Sequence, residues 1–410
     1  MARVKPFRAV RPTRDKVSLV TTRSYELYGK KERNYVLEYN PYSFLHVLRP
    51  GFKFRKKMTG TDRFRMVHNR FEEFKENGIL TKDPKPGFYL HQKVFGKTRF
   101  WGLIGLASLD DYENNVIRKH EKTLRKREEL FGNYLEITGF NAEPVLLTYK
   151  DDSYLNSLIE KYSPLRPEYE FTTNKERTHS LWLIQDEEEL NRISEVFDRM
   201  PALYIADGHH RTASSLFLKK KLEEEGQLAI GPASQFMAYF IAESQLRITS
   251  FYRFVRSLGT LDKNEFLIRL DEIFRIKNLG NQYYRPSRKH HFSMYLDGEY
   301  YQLYLRKSVY RIENALDDLD PQILYSTVLR PILGIEDPTD DRNLFHLPES
   351  GNEMQIKNLV DSGAFSVGFG CRPVSVDQMK SVADQGLIMP PKSTYIEPKL
   401  RSALTIYELM

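Results

Sequence analysis

The chain is nearly without cysteine, with Cys371 the only one in 410 residues. A single thiol cannot close an internal disulfide or build a zinc site of several thiolates, and it fits a reducing compartment. Long apolar runs are also missing. No stretch nears the roughly 18 apolar residues of a membrane span, and the basic opening "MARVKPFRAVRPTRDK" has no apolar segment behind it. Neither a span nor a signal peptide is expected, and a cytoplasmic protein is. The sequence has no internal repeat, no low-complexity segment, no glycine-rich P-loop and no His-Glu-x-x-His or Cys/His spacing for tightly held zinc.

What is present is an ordinary water-soluble balance, 40% hydrophobic and 29% charged, but with 25 Tyr and 25 Phe to fill the interior with large rings. The length suggests two or three globular units. A formal net charge of +7 admits a polyanion as partner. The charges are interspersed, however: "RKHEKTLRKREEL" (118–130) mixes signs at helical spacing, as on a solvated helix face. Small phosphorylated ligands therefore rank above nucleic acid.

Periodicity gives the elements. In the first 60 residues "KVSLVTT" and "SFLHVLR" read as short strands. A helix is predicted from Asp62 to Gly78, with Phe64, Val67, Phe71 and Phe74 on one face. Strands follow at "GFYLHQKVF" and "RFWGLIGLASL", then a charged helix over about 116–134 and a strand at "EPVLLTYK". A short helix and loop occupy 151–176. "THSLWLIQD" is a strand, "DEEELNRISEVFDRM" a helix whose acidic first turn suits its dipole, and "PALYIA" a strand again. Beyond residue 230 come strands "ASQFMAYFIAES" and "LRITSFYRFV", a helix near 262–275 and a hairpin turning at Asp297-Gly298. A helix in "DDLDPQILYSTVLRPIL" is interrupted at Pro331, and "FSVGFGCRPVSVDQMKSVADQG" is strand then helix. The pattern predicts an α/β or α+β fold of mixed sheets and helices. Its expected divisions are an N-terminal α+β domain (1–150), a central unit (151–260) and a C-terminal α+β region (261–410).

One corner stands apart from this scaffold. In "YIADGHHRTASSLFLKK" (204–220) an apolar strand stops at Asp207-Gly208, two histidines and an arginine follow, and a small-residue helix begins. The first N–H groups of a helix lack intrahelical acceptors and sit at the positive end of its dipole, so an anion is favoured there. Asp207 can cap those donors, Gly208 allows a tight turn or close approach of a ligand, and Arg211 offers a fork matched to phosphate oxygens. His209 or His210 can supply a neutral or cationic donor. Capping alone would explain Asp207 but not a cation at the dipole's positive end. The corner reads as a phosphate site with a titratable group attached.

Other residues carry weaker signals. "KHEKT" groups His120, Glu121 and Thr123, where a carboxylate beside an imidazole could act as base or metal ligand, or simply start an exposed helix. "MPPKST" offers Lys392 for charge and Ser393 and Thr394 for hydrogen bonds to phosphate, although a turn of this kind is commonly just solvated. His179 and Arg253 are polar residues beside apolar strands and are pocket candidates.

The corner "DGHHRTA" resembles the phosphate-binding corner of the ParB and sulfiredoxin superfamily. Nearly end to end, through "VKPFRAVRP", "NPYSFLHVLRP", "DDYENNVIRKHEKT", "LYIADGHHRTA" and "MPPKSTYIEPKL", the chain resembles the domain of unknown function 1015 family. Free-serine kinases share the Asp-Gly-His-His-Arg motif. The resemblance implies a ParB/sulfiredoxin-like central unit and phosphoryl transfer involving serine, either as a kinase using ATP or ADP or as a phosphoserine phosphatase. It implies that Asp207, Gly208, His209, His210 and Arg211, with Thr212 beside them, hold or activate the phosphoryl group. It also makes Lys392, Ser393 and Thr394 phosphate ligands. The carboxylate base would be Glu26, by order along the chain, or Glu121, on chemical grounds. Magnesium would enter through phosphate oxygens and one or two carboxylates. The rival reading, a ParB-like protein binding nucleotide or nucleic acid without turnover, needs a contiguous basic face and a reader such as a helix-turn-helix; neither is found.

Overall fold

Strands with strong apolar alternation come together in one mixed sheet. In the computed structural model, which describes residues 1–409 apart from 55–57, 174–175, 227–230, 340, 350–351 and 353, they are β1 (Val4–Lys5), β2 (Phe88–Phe95), β3 (Thr98–Ser108), β4 (Ile117–Arg118), β5 (Val145–Tyr149), β6 (Tyr169–Thr172), β7 (Arg177–Ile184), β8 (Leu203–Asp207) and β9 (Gln235–Ala242). Their spatial order is β6-β7-β2-β3-β9-β5-β8-β4, with β1 paired to β3. The β9/β5 and β8/β4 pairs are parallel and the others antiparallel.

The chain divides into two compact units: residues 1–119, 123–246 and 398–410 form unit 1, and residues 120–122 and 247–397 form unit 2. The sheet above belongs to unit 1. The expected boundary at 150 falls just after β5, inside that unit, and the one at 260 falls inside unit 2.

One face of the unit 1 sheet is apolar. Phe88, Leu90, Leu103, Leu147, Trp182, Ile184, Ile205, Phe236 and Phe240 pack with Leu155 and Leu158 of a helix (Ser153–Tyr162) and with Leu190, Ile193 and Phe197 of another (Glu187–Asp198). Both helices start on a capping aspartate: Asp152 accepts from the N–H groups of Tyr154 and Leu155, and Asp186 from that of Glu189.

The opposite face is polar although buried. In the β7/β2 register His179 lies opposite Lys93, and Leu181 opposite His91. Because side chains alternate, His91, Lys93 and His179 share one face. All three are buried. Tyr239 of β9 joins them across Gly102 of β3, whose Cβ would fall 2.0 Å from the tyrosine ring. Only glycine leaves room for that ring. The returning C-terminal segment meets this face, with the Thr405 hydroxyl on Met237 Sδ at 3.4 Å.

Unit 2 is built on an antiparallel sheet of β10 (Phe251–Val255), β11 (Phe274–Gly280), β12 (His291–Leu296), β13 (Glu299–Leu305), β14 (Leu344–Pro348) and β15 (Val367–Cys371), ordered β11-β13-β12-β15-β10-β14. Each of its faces carries an apolar cluster, although Arg253 and Ser293 are buried in its strands. Phe292, Met294, Leu303, Val367 and Phe369 pack on Phe266 and Leu270 of a helix (Lys263–Ile273). Tyr252, Phe254, Tyr295 and Tyr300 pack on Ile356 and Val360 of another (Met354–Asp361). Among the described residues no helix is long and apolar enough to cross a membrane.

The mixed α and β composition and most predicted elements are found. The helix with Phe64, Val67, Phe71 and Phe74 spans Gly60–Glu76, and all four residues are buried. The hairpin turns at Asp297 and Gly298, both at positive φ. Three local readings are corrected. "KVSLVTT" contains a helical turn (Val17–Val20) and "SFLHVLR" another (Leu45–Leu48), because short apolar runs fit either period. The charged helix begins only at Arg125, since Ile117–Arg118 is drawn out as the parallel edge strand beside Leu203–Tyr204.

Candidate functional site

Strand β8 delivers the Asp-Gly corner at its C-terminal end. Its register against β5 slips between Ile205 and Asp207, a bulge that re-aims the chain just before the turn. Gly208 follows in the left-handed region (φ 105°) as the N-cap of a helix, His209–Glu224. A Cβ at Gly208 would stand 3.1 Å from Nε and 3.3 Å from Cζ of Arg211, because the guanidinium folds back across the glycine.

The N-cap residue, Gly208, has no side chain to contribute. The Asp207 carboxylate joins two cations: Arg211 Nη2 donates to Oδ2 at 3.1 Å and Lys399 Nζ to Oδ1 at 3.1 Å. Arg211 Nη1 donates to the Pro144 carbonyl at 2.7 Å and lies 3.6 Å from Glu143 Oε1. Thus a guanidinium is fixed at the positive end of a helix of 16 residues, with a lysine on the same carboxylate. His209 is buried and His210 half-buried at the first two helical positions. Thr212 is buried and its hydroxyl reaches the Gly208 carbonyl at 3.4 Å, bracing the turn.

Lys399 links the corner to the polar sheet face. Its carbonyl accepts from Lys93 Nζ at 2.9 Å. Beyond lies a chain of rings: His91 Nε2 and His179 Nδ1 share a hydrogen bond of 3.1 Å, and His91 Nδ1 meets the Tyr239 hydroxyl at 3.3 Å. Burial, reinforced by Lys93 and Arg401, holds His91 down to about 3, and burial with the neighbouring His91 pushes His179 well below its ordinary value. Both rings are neutral at pH 7, as a buried face crowded with cations requires.

Other predicted residues of unit 1 lie elsewhere in local structure. Glu26 is exposed in a short turn (Tyr25–Leu27). The Thr123 hydroxyl donates to Glu128 and so fixes the start of the helix beginning at Arg125.

Unit 2 carries the remainder. His120 is fully buried and its carbonyl accepts from the Met389 N–H at 2.9 Å. A ring nitrogen of His120 and a carboxylate oxygen of Glu121 lie within 4.8 Å of each other, a donor pair that suits a divalent cation content with few protein ligands. Arg253 is buried and donates to the Phe251 carbonyl (3.1 Å), Cys371 Sγ (3.2 Å) and the Lys392 carbonyl (3.2 Å), so it ties strand β10 to the 390–394 turn. Lys392 is at positive φ (57°), with its ammonium 5.8 Å from the centre of the Phe251 ring. The buried Ser393 hydroxyl donates to the Pro390 carbonyl at 2.7 Å, and Thr394 is half-buried.

Sequence reasoning missed Lys399, Glu143, His91, Lys93 and Arg401. The first two are distant in sequence from the motif. His91 and Lys93 left a faint signal, two polar residues at alternate positions of the apolar strand "FYLHQKVF".

A family profile described as "Protein of unknown function (DUF1015)" matches residues 4–322. No curated protein matches the sequence. Among solved structures, a free serine kinase in complex with AMP is similar with TM-score 0.36 and 13% identity, over 73% of this chain and 91% of that one. A conserved hypothetical protein from Pyrococcus furiosus gives TM-score 0.36 and 12% identity over 74% and 94%. SbnI from Staphylococcus aureus, truncated at its C-terminus, gives 0.38 and 14% over 73% and 87%. Likenesses of this strength carry no functional weight.

Proposed function

The chain belongs to the DUF1015 family of proteins of unknown function, and from the geometry of its corner we propose that unit 1 binds a phosphoryl group and transfers it to or from a serine hydroxyl. The observation that carries this reading is Arg211 folded over Gly208 at the start of the helix. Two positive poles, guanidinium and helix terminus, oppose each other unless an anion lies between or beside them. Asp207, shared with Lys399, and Glu143 at 3.6 Å pair with the Arg211 guanidinium and hold it over the turn. A phosphoryl group would take charge-assisted bonds from Arg211 and dipole stabilisation from the helix start.

In this reading Gly208 lets the backbone approach the phosphoryl oxygens, and Thr212 braces the turn. Asp207 keeps Arg211 and Lys399 aimed. His210, the more accessible of the two imidazoles, carries the proton. In the kinase direction the serine oxygen bonds to the terminal phosphorus of ATP, the bond to the ADP oxygen breaks, and the hydroxyl proton passes to the base. In the hydrolytic direction water attacks phosphoserine and the proton returns to the serine oxygen. Magnesium would neutralise phosphoryl charge in either direction.

The test incubates the full chain with magnesium and O-phosphoserine, or with serine plus ATP or ADP, and follows phosphorus by NMR. Release of inorganic phosphate or formation of phosphoserine, lost in Arg211→Gln, is expected. Unchanged spectra in every mixture would remove the serine assignment.

A further inference from the structure

Asp207 ends strand β8, and each of its carboxylate oxygens holds one cation: Oδ2 accepts from Arg211 Nη2 and Oδ1 from Lys399 Nζ, both at 3.1 Å. The two cations have different origins. Arg211 lies one turn into the helix that Asp207 precedes, whereas Lys399 is 192 residues away in sequence and is brought in by the C-terminal segment.

That segment is fixed repeatedly within unit 1. Lys93 Nζ donates to the Lys399 carbonyl at 2.9 Å. Arg401–Ser402 pairs antiparallel with Thr22–Arg23, and Arg401 adds hydrogen bonds to the Thr21 hydroxyl (3.0 Å) and carbonyl. The Ala403 N–H donates to the Ala142 carbonyl at 2.8 Å, with Ala403 held in the left-handed region (φ 61°). Ala142 directly precedes Glu143 and Pro144, the residues on which Arg211 Nη1 rests. The ammonium of Lys399 and the guanidinium of Arg211 are thus tied to one carboxylate and braced through neighbouring backbone.

Stability does not account for this arrangement. The Lys399 and Asp207 side chains are 26% and 39% exposed, and an ion pair so placed contributes little. Lys93 is buried on the polar sheet face with His91 and His179, and withdrawing an ammonium from water is costly even when it is hydrogen-bonded. The gain from the pair is smaller than the cost of the lysine that steadies it. The arrangement therefore serves placement, setting an ammonium beside the start of the helix.

We propose that Lys399 is a second phosphoryl-binding residue of the corner and that Lys93 is the positioning residue that sets it there. This rests on the phosphoryl reading of the corner. An ammonium has three N–H donors, so one that bonds to Asp207 can also donate to a phosphoryl oxygen. Arg211 supplies a planar fork that fixes the direction of two oxygens, and Lys399 a point charge that accommodates an oxygen outside that plane. The Asp-Gly-His-His-Arg corner is then incomplete without the segment that carries Lys399.

The test titrates the full chain with inorganic phosphate by calorimetry at low and high salt, for the wild type and for Lys399→Gln, Lys93→Met and Arg211→Gln. Lys399→Gln is expected to weaken phosphate about tenfold or more and to flatten the decline of affinity with salt. The loss should persist when Lys399→Gln is made in an Asp207→Asn background, because the ammonium meets the phosphoryl group and does not merely anchor the carboxylate. Lys93→Met should weaken phosphate about threefold or more in the wild type but less than about twofold in the Lys399→Gln background, since it acts through Lys399. If Lys93→Met does not fold, the Lys399→Gln series still decides the contact. Wild-type affinity in Lys399→Gln, or a loss that vanishes in the Asp207→Asn background, overturns the proposal while Arg211→Gln still reports on the corner. An equal effect of Lys93→Met with and without Lys399 overturns the role of Lys93. Failure of the wild-type chain to bind phosphate overturns the corner reading itself and is visible before any variant is made.

Discussion

The two sheets treat burial differently. In unit 2 both faces carry apolar clusters, with Phe292, Met294 and Phe369 on one side and Tyr252, Phe254 and Tyr295 on the other, and Arg253 is buried with them. In unit 1 one face is equally apolar, while the other buries His91, Lys93 and His179. Buried polar groups contribute less to stability than the apolar packing they displace, and they are retained where they do something else. The second sheet is packed mainly by apolar clusters, whereas the first buries a group of titratable side chains on one face. That face leads, through Lys93 and Lys399, to the carboxylate of Asp207.

The contrast can be broken most strongly in unit 2. Phe254 is fully buried between Tyr252, Phe345 and Phe365. Phe254→Ala should cost about 3–5 kcal/mol in denaturant unfolding, yet leave phosphate affinity of the folded protein unchanged. A matching loss of affinity would show that the two units are not separable in function. Next in size is Gly208→Ala, which places a side chain at φ 105° and 3.1 Å from the Arg211 guanidinium. About 1–2 kcal/mol of stability should go, and phosphate affinity should fall with it. An unaltered affinity would mean that close backbone approach at the corner is irrelevant.

Two groups, His91 in unit 1 and Asp320 in unit 2, should respond oppositely to acid. His91 stays neutral when folded down to about pH 3, because of burial first and of Lys93 next. Unfolded histidine takes a proton near 6.5, so this contribution is present above that value and is lost as pH falls toward 3. Asp320 in unit 2 is pushed up to about 6 by burial, against the N–H groups of His290 and Arg372. Its contribution is present below about 4 and is lost as pH rises through about 6. Asp320→Asn is therefore expected to gain about 1–2 kcal/mol at pH 7 and almost nothing at pH 4. His91→Gln should cost stability at pH 7 but flatten the decline between pH 6.5 and 4. Thermal unfolding across that range checks both, and parallel behaviour of the two variants would contradict the opposite signs assigned to these two groups.

Much of the frame was legible in the sequence because it rests on local rules. Phe64, Val67, Phe71 and Phe74 recur at helical spacing and are buried. Asp297-Gly298 demands a tight turn and makes one. The strand-to-helix corner was visible as an apolar run ending in Asp-Gly. Its electrostatics were not, because Lys399 lies 192 residues from Asp207 and Pro144 lies 67 from Arg211. Nothing local shows that an aspartate at the start of a helix also joins two cations. The polar sheet face was hidden for a similar reason: alternation shows that His91 and Lys93 share a side, but only the returning C-terminal segment shows that the side is covered. Conversely, "RKHEK" looked helical by charge spacing, and lost that form when Ile117–Arg118 found a strand to pair with.

The most direct measurement is a calorimetric titration of the full chain with inorganic phosphate, repeated for Arg211→Gln at the same salt. Saturable binding by the native protein, weakened about tenfold or more in the variant while its fold and unfolding temperature are largely retained, is the expected result. Binding that is absent, or identical in the two proteins, would mean that the guanidinium over Gly208 merely ties the turn to Asp207 and Pro144.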